Sequence, residues 1–480
     1  MFDILIIGAG VVGSAIAREL ARYQVKVAVL EKENDVCEES SKANSAIVHS
    51  GYDPLPGTLK AKLNVEGNKL FDQLSQELDF EFERIGSLTV AKNKEELAVL
   101  EELVKRGQEN GVFTRIVKDE ELQEMEPFLV DEAIAALYAP TAGIVNPFEY
   151  NVALMENAMD NGVQLFLNNK VISINKKKNY YEVLTNKAIY KAKVVVNAAG
   201  LYSGEIAKMI GNDSIKITPF KGEYYVLDHF ERPFVKHTIF PPPSQVGKGI
   251  LVSPTTHGNY LLGPNSVETV PEDKSTTAAG LASIREGAQS LVQKIPFQEV
   301  IRSFAGLRAK DISDDFVIEE DKKNRNFFHV AGIQSPGLVS SPAIAKLVVS
   351  LIGKNIKLES NPNFNPYRRP LIRLKKMPLE EVEKLIAKDP RFGRIICRCE
   401  KISEGEIVDV IHRNCGARTV KGIKKRIRPG FGKCQGGFCE PLCVKILARE
   451  LGLNALDIRY GTKDSYILVR PSKEEEHEKG

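Results

Sequence analysis

The sequence predicts an α/β protein with an inserted mixed-sheet (α+β) region and a small helical C-terminal domain. Three observations carry that expectation. The first thirty residues read strand, glycine turn, helix, strand. Strands and helices then recur to about residue 355. Six of the seven cysteines fall between 397 and 443. At 480 residues the chain is long enough for two or three domains with sizeable cores.

Residues 3–7 form an Ile-rich apolar run suited to a buried parallel strand. Gly8, Gly10 and Gly13 follow, residues 11–22 have helical spacing, and residues 25–30 read as a second strand. In such a unit Gly8 permits the tight turn and Gly10 lets the backbone approach a pyrophosphate. Gly13 allows close helix–strand packing, and the helix start at Val12 offers N–H groups to phosphate. Glu31, 18 residues after Gly13 and followed by Lys32, can accept hydrogen bonds from both ribose hydroxyls of an adenosine. It argues against a 2′-phosphate but does not separate NAD from FAD.

Further along, residues 56–135 are helical and charged, residues 163–200 return to short strands, and residues 217–265 alternate strands with Pro/Gly turns. A strand-to-helix unit spans 327–354. Residues 361–370 hold three prolines and no periodicity, which predicts a linker. The charged end, 472–480, is expected to be disordered.

Composition is that of an ordinary globular protein, 43% apolar and 27% charged. No apolar run reaches the roughly 18–20 residues of a membrane span, and nothing reads as a signal peptide. The expected location is the cytoplasm, with attachment at the inner face of the membrane only through partners. The net charge of +3 hides an asymmetry: residues 391–450 carry 14 Lys/Arg against 6 Asp/Glu, or +8, and the rest carries −5. No aromatic-rich motif accompanies the basic block, so nucleic acid fits it less well than a buried anionic cofactor or an acidic protein partner.

Residues 40–52 (Ser-Ser-Lys-Ala-Asn-Ser-Ala-Ile-Val-His-Ser-Gly-Tyr) resemble the flavin-contact segment of the D-amino-acid-oxidase-like superfamily. Gly143-Ile144-Val145-Asn146-Pro147, Asn197-Ala198-Ala199-Gly200, Lys221-Gly222-Glu223-Tyr224, Gly306-Leu307-Arg308-Ala309-Lys310 and Gly332-Ile333-Gln334-Ser335-Pro336-Gly337-Leu338 extend the likeness over most of residues 1–355. The groups it resembles most are glycerol-3-phosphate dehydrogenases and L-2-hydroxyglutarate dehydrogenases. The resemblance implies a Rossmann-like FAD-binding domain of the glutathione-reductase/D-amino-acid-oxidase type. It also implies FAD contacts at Ser40, Ser41, Asn44, Ser45, Val171, Ala199, Gly200, Gly332, Gly337, Leu338 and Val339. His49 would lie beside the isoalloxazine, either as the base for a substrate hydroxyl or as a flavin contact. Arg308 would hold the anionic group of a small substrate, which a guanidinium can grip bidentately. Lys310, Lys221, Glu223 and Tyr224 would stand at the rim, and His257 reads as a turn residue.

Cys397-x-Cys399 and, after 34 intervening residues, Cys434-x4-Cys439 sit in a glycine-rich setting that resembles the bacterioferritin-associated-ferredoxin-like 2Fe–2S domain over about residues 393–447. Four thiolates suit such a cluster. A structural zinc is the rival, although one residue between Cys397 and Cys399 is less typical of zinc. Lys421, Lys424, Lys425, Arg426, Arg428 and Lys433 are expected to offset the cluster's charge. Cys37, Cys415 and Cys443 read as packing residues.

The expected organisation is an FAD-dependent oxidoreductase over 1–365, a linker over 366–390, the cysteine domain over 391–455 and a tail over 456–480. FAD-binding parts would lie near 1–55, 140–215 and 320–360, and substrate parts near 56–139 and 216–319. The expected activity is oxidation of glycerol 3-phosphate, a reading taken from the joining of this flavin fold to a cysteine module. Electrons would leave through the cluster to a partner subunit or quinone. An L-2-hydroxyglutarate dehydrogenase and an electron-transfer subunit of an imino-acid or amine dehydrogenase complex are the alternatives.

Overall fold

The strand Phe2–Ile7 holds Ile4, Leu5 and Ile6 with no exposed surface, as a run apolar on both faces requires. The computed structural model describes residues 1–230, 232–243 and 249–470, which cluster into two units. The first comprises residues 1–32 and 36–369. Among the described residues, the second comprises 370–470 together with the segment Glu33–Asp35.

In the first unit, Phe2–Ile7 pairs in parallel with Val27–Leu30 on one side and Ile189–Asn197 on the other. Phe327–Ala331 adds to the end of Ile189–Asn197, also in parallel. The helix Val11–Leu20 joins the first two strands and packs against the helices Pro147–Asp160 and Gly337–Gly353. A second, nine-stranded sheet draws on both expected substrate segments. Ser87–Ala91, Arg115–Lys118 and Ala135–Ala139 come from one, and the long antiparallel pair Ile217–Leu227 and Val300–Asp311 comes from the other. The apolar core of this sheet includes Leu88, Val90, Leu227, Ile239 and Leu262.

The second unit is a short ribbon, Ile395–Cys397 with Ile402–Ser403, followed by helices Glu404–Ile411, Val420–Ile427 and Glu440–Leu451. Ser403 and Glu406 form a reciprocal capping box at the first helix. Ile396, Ile407, Ile411, Ile423 and Leu447 fill the core.

The expected linker, 366–390, is not a loose connector. Arg368, 3% exposed, donates to the Glu156 carboxylate at 3.0 and 2.9 Å and to the Leu78 carbonyl, inside the first unit. Leu371 belongs to the second core, the Leu374 N–H donates to Glu406, and Leu379–Lys388 is a helix. The expected tail also begins as structure: Ile458 is 1% exposed, and the Lys421 N–H donates to the Tyr460 carbonyl. Residues 471–480 lie outside the described residues, and with them the expectation of disorder. Among the described residues, no helix is long and apolar enough to cross a membrane.

Candidate active site and cluster site

The glycine turn is enforced by contact. Gly8 has φ +106°, and a Cβ there would meet the Ala198 carbonyl oxygen at 2.5 Å. A Cβ on Gly13 would meet the Gly8 carbonyl oxygen at 2.0 Å, so helix and strand approach as only glycine permits. The Glu31 carboxylate accepts from the Ala9 N–H at 2.8 Å and braces the loop.

This turn opens on a cavity of about 1050 Å³. That is at the upper end of ligand sites, typically about 300–1,000 Å³, and suits a dinucleotide with a small substrate. Gly10, Val12, Ser40, Ser41, Asn44, Ser45, Gly200, Gly337 and Leu338 line it, as do His49 and Arg308. Two helix starts, at Val11 and Gly337, face it and suit phosphates and an electron-rich ring edge. The Ser41 hydroxyl accepts from the Val11 N–H at 2.9 Å. The Asn44 side chain is committed to its own loop, donating to the carbonyls of Ser40 and Ser41 and accepting from the Ala46 N–H. Gly306 lies so close to this loop that a Cβ would meet the Ala43 carbonyl oxygen at 2.0 Å. These close approaches are what a long ligand threaded past several chain segments requires, and the lining fits FAD.

The remaining expected cofactor residues are not on the lining. Val171 is packed with Leu30 in the sheet core. Lys32 lies 3.7 Å over the Tyr202 ring. A Cβ on Gly8 would also meet the Ala199 Cα, at 3.3 Å. Gly332 takes φ +66° where strand leads to helix, and the Val339 carbonyl closes on Gly67.

At the substrate end, His49 packs against Phe240 with ring centroids 5.9 Å apart. Its backbone carbonyl accepts from Asn64 and Asn68 at 2.7 and 3.0 Å. The Arg308 guanidinium donates to the Ser266 hydroxyl at 3.2 Å. The Tyr224 hydroxyl lies 3.0 Å from Ser45, and burial pushes its pKa up although Arg308 and Ser45 pull the other way. Lys310 lines the cavity, as expected of a rim residue, and so does Tyr224.

Lys221 and Glu223 do not stand at the rim. Along the strand Ile217–Leu227, Phe220, Gly222 and Tyr224 face the cavity, so the alternate residues face away. Lys221 instead pairs with Asp273 at 2.6 Å, and Glu223 caps the start of the helix Ala278–Gln289 through Thr277. His257 is in a turn and half-buried, with its side chain 2.7 Å from Glu81. The sequence reading missed Lys60, Phe240 and Ser266, which lie just outside the motifs or between them.

In the second unit the four predicted cysteines converge. The Cys399 and Cys434 sulfurs are 3.6 Å apart. Two thiolates on one tetrahedral metal, with bonds of about 2.3 Å, stand about 3.8 Å apart. Cys397 and Cys439 make the second pair, sharing a hydrogen bond that, with burial, pushes the Cys397 thiol up. Backbone N–H groups point at three of the sulfurs: Gly430 and Glu400 at Cys397, Cys434 at Cys399, and Gly436 and Phe438 at Cys434. Such donors stabilise a reduced iron–sulfur cluster. A Cβ on Gly432 would meet the Cys399 Cβ at 2.4 Å, so that glycine is obligatory. Two pairs of thiolates with N–H donors fit a 2Fe–2S cluster.

Most of the basic residues expected to offset its charge are used otherwise. The Arg426 guanidinium donates to both Asp35 oxygens at 3.0 and 2.9 Å, and Lys425 pairs with Asp35 at 2.9 Å. The Lys424 ammonium donates to the Gly430 carbonyl, and Arg428 pairs with Glu400. Burial disfavours the charge on Asp35, but Arg426 and Lys425 outweigh it and hold the carboxyl well below the usual range.

Residues 3–351 match the family model for FAD dependent oxidoreductases, and residues 395–449 match that for the BFD-like 2Fe-2S binding domain. A glycerol 3-phosphate dehydrogenase of Caloramator mitchellensis is 50% identical over 479 residues, 99% of this chain and all of that protein. A glycerol 3-phosphate oxidase of Mycoplasma genitalium is 36% identical, over 76% of this chain and 97% of its own length. The structure of a dithionite-reduced L-α-glycerophosphate oxidase from Mycoplasma pneumoniae with FAD bound superimposes with a TM-score of 0.73 at 32% identity, covering 77% of this chain and 99% of that one. An L-2-hydroxyglutarate dehydrogenase of Indibacter alkaliphilus is 30% identical over 72% of this chain and 98% of its own. The chain therefore belongs to the family of FAD-dependent oxidoreductases and joins to it a C-terminal domain of the 2Fe-2S binding type.

Proposed function

We propose that the chain is a dehydrogenase that oxidises glycerol 3-phosphate to dihydroxyacetone phosphate and sends the electrons, through its own cluster, to a separate acceptor. The observation that carries this is a cavity presenting His49 and Arg308 in a chain whose full length, cysteine domain included, aligns with a relative named for that substrate. The relative named as an oxidase uses 97% of its length to match 76% of this chain, which leaves no room there for a second domain. A one-electron outlet suits a dehydrogenase rather than an enzyme that returns both electrons to oxygen.

Arg308 grips the phosphate, with Ser266 and Tyr224 fixing the guanidinium from the side. His49, held against Phe240, accepts the proton of the C2 hydroxyl. Bound FAD supplies the acceptor for the hydride leaving that carbon. An O–H and a C–H bond break, a C=O bond forms, and two electrons leave the substrate. The thiolates of Cys397, Cys399, Cys434 and Cys439 would hold a 2Fe–2S cluster, which would supply one-electron transfer. Reduced thiols suit the cytoplasm, and partner subunits would receive the electrons.

The test is anaerobic addition of glycerol 3-phosphate, L-2-hydroxyglutarate and proline to the purified protein. Glycerol 3-phosphate is expected to bleach the flavin absorbance. Bleaching by either other compound alone would overturn the assignment.

A further inference from the structure

The four cysteines are not equivalent. Cys397 and Cys439 are 1% and 3% exposed, Cys434 is half-buried, and Cys399 is exposed. The 3.6 Å sulfur pair is therefore the outward one. Added charge on reduction is best solvated at that edge, and a second protein can approach most closely there.

The basic residues of the domain fall into two classes. Lys424, Lys425, Arg426 and Arg428 are buried and bonded within the unit. Arg398, Lys401 and Lys433 are exposed, and each lies within two residues of Cys399 or Cys434. Of the nearby acids, Glu400 is tied to Arg428 at 3.2 Å, which neutralises it, and Glu440, beside Gly436, is outnumbered by the three cations. Phe438, beside Cys439, is 84% exposed, a large apolar cost unless something covers it.

We propose that electrons leave the chain at the Cys399–Cys434 edge, through a face centred on Arg398, Lys401 and Phe438 that docks an acidic one-electron carrier protein. This rests on the reading of the second unit as a 2Fe–2S outlet. Each substrate oxidised releases two electrons, and the carrier takes one per encounter, so two carriers are reduced per turnover. Charge complementarity selects an acidic partner and speeds its arrival, while the aromatic tip supplies a small dry contact. Buried cations cannot serve this purpose, because Lys425, Arg426 and Arg428 are paired with Asp35 and Glu400 and the Lys424 ammonium is turned onto the Gly430 carbonyl.

The test uses the full-length holoprotein, reduced photochemically so that the outcome does not depend on which substrate is native. Reduction of an acidic b-type cytochrome, a basic c-type cytochrome and a neutral quinone is followed by stopped flow. For the wild type, the rate with the acidic cytochrome should fall as ionic strength rises. Lys401→Glu and Phe438→Ala should each lower that rate about tenfold, with the quinone rate and the cluster's resonance signal kept. Unchanged rates with the acidic cytochrome in both variants would overturn the proposal. So would a face that serves lipid instead: binding to phosphatidylglycerol vesicles that Lys401→Glu abolishes while the cytochrome rate stays. Proton resonance of the reduced protein gives a readout apart from turnover. The ferrous-type shifts should belong to the β-protons of Cys399 and Cys434, and finding them on Cys397 and Cys439 would place the outlet at the wrong edge.

Discussion

The two units hold their cofactor sites by opposite means. The first uses backbone: glycines at 8, 13 and 306 where a Cβ would strike a carbonyl, and two helix starts opening on one cavity. Its site residues are spread from Gly10 to Leu338. The second relies mainly on side chains, four thiols with Gly432 and backbone N–H groups closed around them, while elsewhere in the unit a knot of buried charge centres on Asp35. The two kinds of site fail differently. A site made of backbone is lost by adding atoms. A site made of thiolates and ion pairs is lost by removing one partner.

The largest expected effect is on the second unit. Cys434→Ala should abolish the cluster's visible and resonance signals, because it removes one of the four thiolates that would hold it. Substrate should still bleach the flavin, and retained cluster absorbance would break the contrast. Next, Asp35→Asn leaves Arg426 and Lys425 buried without their counter-charge. Removing one member of a buried ion pair costs about 3–5 kcal/mol, to be read by urea denaturation followed at the cluster absorbance.

In the first unit, Arg308→Ala should lower kcat/KM for glycerol 3-phosphate by about 10²–10³-fold, the loss of a charge-assisted anion contact. Flavin content should be unaffected. A merely structural arginine would instead lower flavin content or melting temperature. Gly13→Ala should destabilise the unit by about 1–3 kcal/mol through overpacking, measured by thermal unfolding with flavin fluorescence.

The smallest effect is a pH dependence. Burial holds the His329 pKa below its ordinary 6.5 despite Asp321 at 3.0 Å. The unfolded chain therefore takes up this proton first, and stability should fall as pH drops below 6.5. Burial opposes ionisation of Asp321, but His329 and Asn212 hold it at about 2, so a second loss follows below 3.8. Asp321→Asn should remove the second, lower step in an acid titration of unfolding.

Much of this was legible in the chain. The βαβ start was, because buried parallel strands must be apolar throughout and the turn between them must lack Cβ atoms. The convergence of Cys397, Cys399, Cys434 and Cys439 was, because cysteines are rare and two close pairs of them stand out. The rim residues on the strand Ile217–Leu227 were not. Lys221 and Glu223 look as polar as cavity residues should, and only the register of the strand shows that they face the other way.

The sequence by itself determined the two cofactor classes, the order of the two matched domains and which four thiols would be brought together. Each depends on residues close in the chain or on steric rules that act locally. Only the tertiary structure decided which basic residues carry outward charge. Arg398 and Arg426 cannot be told apart by composition, yet Arg426 meets Asp35 across 391 residues of chain while Arg398 stays exposed. Burial and ion pairing between distant segments are properties of the packed chain, and a cation is available to a partner only when no internal carboxylate has claimed it.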